Sequence, residues 1–238
     1  MSNTSWKRPL PSQGGSGHAA GLGRGVVDAY PLAPMQLAML LRGQVDPRAG
    51  LYVQQYVCTL REALRLPEFR RAWQRLAARH PVLRTSFLLD ASPEPLQQVH
   101  AGVEVPWSEH DWRDLPEEAQ EEAMRAFLRE DRSTPLDPRD APLARFALFR
   151  LRDEVYRLVW TSHHALFDGH SRRILLREVF ADYDALVEGR DAAPAARKPY
   201  GDYVRWLLHS EPPDSREFWE GELRGFDSPN EVLLEPGG

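Results

Sequence analysis

The chain has 238 residues, 42% of them hydrophobic, which suffices for one substantial core with satellite elements around it. A formal net charge of -5, from 30 basic and 35 acidic side chains, argues against a nucleic-acid footprint or an anionic membrane surface as partner. Cys58 is the single cysteine, which excludes an intrachain disulfide and a multi-thiolate metal site, and no apolar run suits a secretory core or a bilayer span, so cytoplasmic localisation is the simplest expectation.

Residues 1–29 hold six of the sixteen glycines, with Pro9, Pro11 and several serines, and read as a flexible tail or linker. Order is predicted from Tyr30-Pro31-Leu32, and Pro34 suits an early helical position before Met35, Leu37, Met39, Leu40 and Leu41, a short and largely buried helix. Aromatic and β-branched residues predict a strand over 52–60. From Pro67 to the stop at Pro81, Phe69, Ala72, Trp73, Leu76 and Ala77 recur at helical spacing. Strands are expected over 82–89, 96–100 and 103–107.

Pro116 opens a further helix with Ala119, Ala123, Met124, Phe127 and Leu128 on its apolar side, and the early glutamates Glu117, Glu118, Glu121 and Glu122 complement its positive end. Strands over 143–149 and 155–161 follow, then an amphipathic helix over 171–187 that packs on their sheet. A break over 189–199 precedes helices over 200–209 and 214–223, with Trp206, Phe218 and Trp219 as candidate docking residues, and 233–238 reads as a linker. No internal repeat is apparent. The order of elements predicts an α/β fold on a mixed sheet rather than a doubly wound one.

Chemistry concentrates where the 155–161 strand meets the next helix, at His163-His164-Ala165-Leu166-Phe167-Asp168-Gly169. Adjacent side chains on extended backbone point to opposite sides, so one imidazole faces a cleft while the other packs or orients the turn. Histidine suits general-base work near neutral pH. Asp168 sits where it fixes the turn or pairs with a distant arginine, Gly169 suits a crowded or positive-φ position, and Ser171 suits the cap of the following helix. For an isolated histidine pair, the plainer reading is a buried hydrogen-bonding histidine with Asp168 capping the turn. A zinc site is weaker still, because adjacent histidines rarely converge on one tetrahedral ion.

A second unusual stretch is Arg79-His80-Pro81-Val82-Leu83-Arg84-Thr85-Ser86-Phe87. A buried Arg84 needs a carboxylate, for which Asp168 is the most economical candidate, while an exposed Arg84 would be one surface arginine among many.

These two stretches resemble motifs of the condensation domains of nonribosomal peptide synthetases, part of a superfamily similar to chloramphenicol acetyltransferase. His163, His164, Asp168 and Gly169 supply every fixed position of the HHxxxDG signature. Residues 79–87 resemble an RHExLRTxF motif with Pro81 in place of its glutamate, and Tyr30-Pro31-Leu32-Ala33-Pro34-Met35-Gln36 looks like the opening motif. The resemblance implies a two-layer, chloramphenicol acetyltransferase-like lobe over 30–227, including the start of the interlobe helices, after a tail over 1–29 and before a tail or truncated crossover over 228–238. Such a lobe is half of a two-lobed condensation domain, so the chain is expected to be an excised or truncated N-terminal part.

By the same resemblance, His164 faces a tunnel and removes a proton from, or positions, an acceptor amine attacking a donor thioester. His163 and Asp168 are structural, Arg84 pairs with Asp168, and Gly169 shapes the site. The implied partners are upstream donor and downstream acceptor carrier proteins bearing phosphopantetheine arms, the missing C-terminal lobe and an adjacent adenylation domain. No cofactor or metal is expected to bind the chain directly. The competing readings are a non-catalytic module that docks carrier proteins or a neighbouring lobe, and part of an epimerisation domain, which shares the paired histidines. A heterocyclising relative is disfavoured by the intact HHxxxDG.

Overall fold

Two strands with apolar residues on both faces occupy the middle of the molecule. In the computed structural model, which describes residues 25–91, 94–190, 197–210, 216–226 and 228, these are β6 (Ala144–Arg152) and β7 (Val155–His163), joined by the two-residue turn Asp153-Glu154. Tyr156, Leu158 and Trp160 of β7 join Ala144, Phe146 and Leu148 of β6 in one apolar cluster, while Val159 joins Ala147, Phe149 and Leu151 in another. A strand buried on both faces reads as a continuous apolar run rather than an alternation, as both sequences do.

Around this pair, β2 (Val53–Arg61) adds antiparallel to β7 and β5 (Trp107–Asp111) adds parallel to β6, giving the order β2-β7-β6-β5 and the mixed sheet expected. Helices α2 (Leu66–Arg79) and α4 (Gly169–Val187) pack on one face through Phe69, Trp73, Leu76, Leu175, Val179 and Tyr183. All five apolar positions predicted for α2 are buried. Helix α3 (Glu117–Ser133) covers the other face with Met124, Phe127 and Leu128, so a helix adds to the predicted helix-on-sheet layer from the far side.

A smaller antiparallel sheet, order β1-β4-β3, comprises β1 (Val26–Pro31), β3 (Thr85–Leu88) and β4 (Leu96–His100). Helix α5 (Tyr200–His209) seats Val204 against Tyr30 and Val99. Its approach is close enough that a Cβ on Gly201 would lie 2.8 Å from the Tyr30 ring. Helix α1 (Pro34–Val45) leads from the small sheet back to the large one, and α6 (Arg216–Glu222) ends the described secondary structure with Phe218 and Trp219 exposed.

Four expectations shift. The first strand begins at Val26, ahead of Tyr30, because its backbone pairs with β4 from His100 downwards. Helix α1 is not largely buried: Gln36 and Leu40 face inward, whereas Met35, Leu41 and Val45 are exposed. Residues Pro81–Arg84 form a 3-10 turn instead of the start of a strand, with the Leu83 N–H donating to the His80 carbonyl, so pairing waits until Thr85. The strand expected over 103–107 appears at Trp107–Asp111, because the Gln74 side chain takes up the Val103 carbonyl (2.5 Å) and the Val105 N–H (3.2 Å), tying that segment to α2. Part of the 189–199 break and the 233–238 segment lie outside the described residues.

One buried carboxylate holds α3 to the sheet. Asp131, near the end of α3, accepts from Arg145 Nε (2.6 Å), Gln55 Nε2 (2.6 Å) and Thr161 Oγ1 (2.5 Å), joining β6, β2 and β7. Removing it strands the Arg145 guanidinium, which is mostly buried, with only carbonyl partners. Asp131→Ala is therefore expected to lower stability by about 3 kcal/mol, measured by urea denaturation, and a change within error of zero would contradict this role.

Candidate active site

The ladder of the large sheet runs as far as the paired histidines. His163 closes β7 and its N–H donates to the Leu143 carbonyl (3.0 Å), on the β6 side, while the His164 N–H donates to the Tyr52 carbonyl (2.8 Å), on the β2 side. The residues that lead into both neighbouring strands thus grip consecutive amides. Tyr52 adopts φ 61, a left-handed conformation unusual for a bulky side chain, and in it presents its carbonyl to His164.

The two imidazoles hold their protons on opposite nitrogens. His163 is buried, and its Nδ1 accepts from the Ala165 N–H (3.1 Å); a backbone N–H can only donate, so Nδ1 is bare and the proton of the neutral ring sits on Nε2. Burial, followed by the neighbouring His164, pushes its pKa down to about 4. His164 is half-buried and its Nδ1 lies 3.1 Å from the Phe167 carbonyl oxygen. A carbonyl can only accept, so Nδ1 carries a hydrogen, and in the neutral ring the lone pair is on Nε2. The intervening turn is closed by the Leu166 N–H on the His163 carbonyl (3.1 Å), and Ala165, Leu166 and Phe167 are all buried.

The loop then enters α4. Asp168 is its N-cap: the carboxylate accepts from the Ser171 N–H at 2.8 Å, a bond that holds its carboxyl below the usual range. Capping was expected of Ser171, which instead supplies the donor. Gly169 is the first helical residue and does not have a positive φ. A Cβ there would meet only Arg172 Nη2 at 3.7 Å, so the glycine leaves open surface beside the loop instead of relieving a crowded turn.

Arg84 and Asp168 do not form the expected ion pair. Arg84 Nη1 donates to the His100 carbonyl at the end of β4, and its Nε is buried without a partner. Burial lowers its pKa. The 3-10 turn sends the guanidinium towards β4, while the helix start occupies the Asp168 carboxylate.

Three residues that sequence reasoning did not single out hold this loop. Besides Tyr52, the buried amides of Gln36 in α1 and Gln97 in β4 hydrogen-bond each other (2.9 and 3.3 Å), and Gln36 Nε2 donates to the Ala165 carbonyl (3.0 Å). Gln36 lies inside the opening motif quoted above; nothing local marks Gln97 or Tyr52. A cavity of about 550 Å³ reaches His163 between Leu40, Leu51, Val53 and Phe87. A second, of about 590 Å³, lies behind Leu166 and Phe167 and is bordered by Ile174, Tyr203 and Trp206. Among the described residues, no three His, Cys, Asp or Glu side chains converge as a metal site, and no helix is long and apolar enough to cross a membrane.

A family model described as Condensation domain matches residues 26–236. The chain belongs to the condensation-domain family. A linear gramicidin synthase polypeptide of Brevibacillus parabrevis is 37% identical over 212 residues, which are 89% of this chain and 4% of that polypeptide. Bacitracin synthase 1 of Bacillus licheniformis is 32% identical over 203 residues, 85% of this chain and 4% of that synthase. The fold is similar to the starter condensation domain of rhizomide synthetase, with a TM-score of 0.72 at 20% identity, covering 88% of this chain and 52% of that one. The first condensation domain of the calcium-dependent antibiotic synthetase gives a TM-score of 0.72 at 23% identity over 85% and 49%. This condensation-domain chain therefore spans about half of each solved domain, as one lobe does, and a small part of the curated synthetases.

Two outcomes test this geometry. His163 has its folded pKa depressed to about 4 from 6.5, so its neutral form contributes stability above pH 6.5 that is lost as pH falls towards 4, at most about 3 kcal/mol. Stability measured by denaturation at pH 7.5 and pH 4.5 should fall more steeply in the wild type than in His163→Asn, and parallel losses would refute the assignment. Asp168→Ala should cost about 1 kcal/mol as a lost cap, and Arg84→Ala in the same background should be additive within about 0.5 kcal/mol. A larger coupling energy in the double-mutant cycle would restore the ion pair.

Proposed function

We propose that this lobe supplies the catalytic histidine for amide-bond formation between two carrier-tethered substrates in nonribosomal peptide synthesis. One observation carries the reading: His164 Nδ1 lies on the Phe167 carbonyl, so the neutral ring has its hydrogen on Nδ1 and its lone pair on Nε2. The acceptor amine attacks the donor thioester carbonyl, forming the C–N bond; its surplus proton passes to His164 Nε2, or the imidazole orients the amine for that loss. The C–S bond then breaks and the departing thiolate takes up the proton that the amine released, leaving an amide and a free thiol. A thioester is already activated, so no enzyme nucleophile is required. Cys58 has its thiol pKa raised by burial, which suits a packing role.

In this reading His163 and Asp168 are structural, respectively bonding Ala165 and capping α4, and Gly169 keeps the flank of the loop clear. Arg84 supports the end of β4. Donor and acceptor carrier proteins bring their phosphopantetheine arms as parts of the substrates, and a second lobe completes the tunnel, with an adenylation domain nearby and the assembly in the cytoplasm. Membership of the family and the similarity to gramicidin and bacitracin synthases support these assignments.

The test replaces His164 by Ala in the native polypeptide carrying this lobe, with both loaded carrier proteins supplied. Product formation should fall by about a hundredfold or more while folding is retained, the range for a lost general base. Unchanged turnover would leave the lobe with a docking role only.

A further inference from the structure

The Ala165 peptide is held on both sides. Its N–H donates to His163 Nδ1 and its carbonyl accepts from Gln36 Nε2 at 3.0 Å. Gln36 in turn is fixed by the main chain and by Gln97. Gln36 Oε1 accepts from the Ala33 N–H (3.0 Å) and from Gln97 Nε2 (2.9 Å), and Gln97 Nε2 also donates to the Pro31 carbonyl (3.0 Å). Because the Ala33 N–H can only donate and the Pro31 and Ala165 carbonyls can only accept, neither amide can flip without placing like groups together. Both side chains are buried, so a broken link would leave an unsatisfied polar group.

We infer that Gln36, clamped by Gln97, is a positioning residue that sets the tautomer of His164. The chain of contacts runs from the small sheet (Gln97, Pro31) through α1 (Gln36) to Ala165, two residues before the Phe167 carbonyl that receives His164 Nδ1–H. Between these points the loop is a tight turn with buried side chains, so a shift at Ala165 moves Phe167. Losing the Gln36 donor frees the turn, lengthens the His164 Nδ1 to Phe167 bond and lets the proton move to Nε2, which is the wrong form for a base. The inference rests on the catalytic reading of His164 only for its kinetic consequence; the tautomer itself is readable without it.

The experiment has two arms. In the 238-residue chain labelled with 15N-histidine, long-range 15N–1H spectra report which ring nitrogen of His164 is protonated. The wild type should show a well-separated pair of nitrogens with Nδ1 protonated, and Gln36→Glu, which turns an acceptor towards the Ala165 carbonyl, should draw the two shifts together. Gln97→Leu, which keeps the Gln36 donor but removes its clamp, should do so to a smaller degree and decides the matter if Gln36→Glu does not fold. In the native polypeptide, both variants should lower kcat, about tenfold for Gln36→Glu, with KM for each loaded carrier protein within about twofold, as expected when orientation and not binding is lost.

Gln120→Leu is the control. Gln120 is an equally buried amide bonded to the Trp112, Leu115 and Leu151 carbonyls on the α3 side, so its loss lowers thermal stability without touching the loop. If Gln36→Glu and Gln97→Leu match Gln120→Leu in both spectrum and kcat, the positioning role is overturned. If the spectra shift as expected but the wild-type polypeptide makes no amide, the positioning role stands and the proposed function falls.

Discussion

The hydrogen bond from His164 Nδ1 to the Phe167 carbonyl determines which nitrogen of the half-buried, neutral imidazole carries the lone pair, and the surrounding architecture serves to hold its two ends. One end is set by the sheet, since β7 is flanked on both sides and its neighbours hold the amides of His163 and His164. The other end is set by the turn, whose three apolar residues sink into the core beside Trp160.

The first histidine has the opposite duty. Burial keeps His163 neutral so that it can accept a hydrogen bond, whereas its neighbour is only half-buried. Alternation along an extended strand separates these environments at no additional cost, which explains how two adjacent residues of the same type differ so sharply.

Much of this was legible in the sequence. The apolar stripe of α2 and the double-sided runs of β6 and β7 follow from periodicity, and the signature loop was placed correctly between strand and helix. Local pattern failed where a distant group took over the backbone. Gln74 captures the segment around Val103 and Val105, and a proline-led 3-10 turn delays pairing until Thr85. The Arg84 to Asp168 pairing failed for a related reason: complementary charge says nothing about which partner is nearer, and a helix start competes well for a carboxylate. Gln97 and Tyr52 were invisible because their roles consist of single contacts made across the fold.

The groups that orient His164, namely Tyr52, Phe167, Ala165, Gln36 and Gln97, all fall between positions 36 and 167. A recombinant synthetase that exchanges everything downstream of α4 would inherit this histidine already aligned. Crossover points chosen after that helix would leave His164 and its supports untouched, whereas a junction between α1 and β4 would separate Gln36 from its clamp.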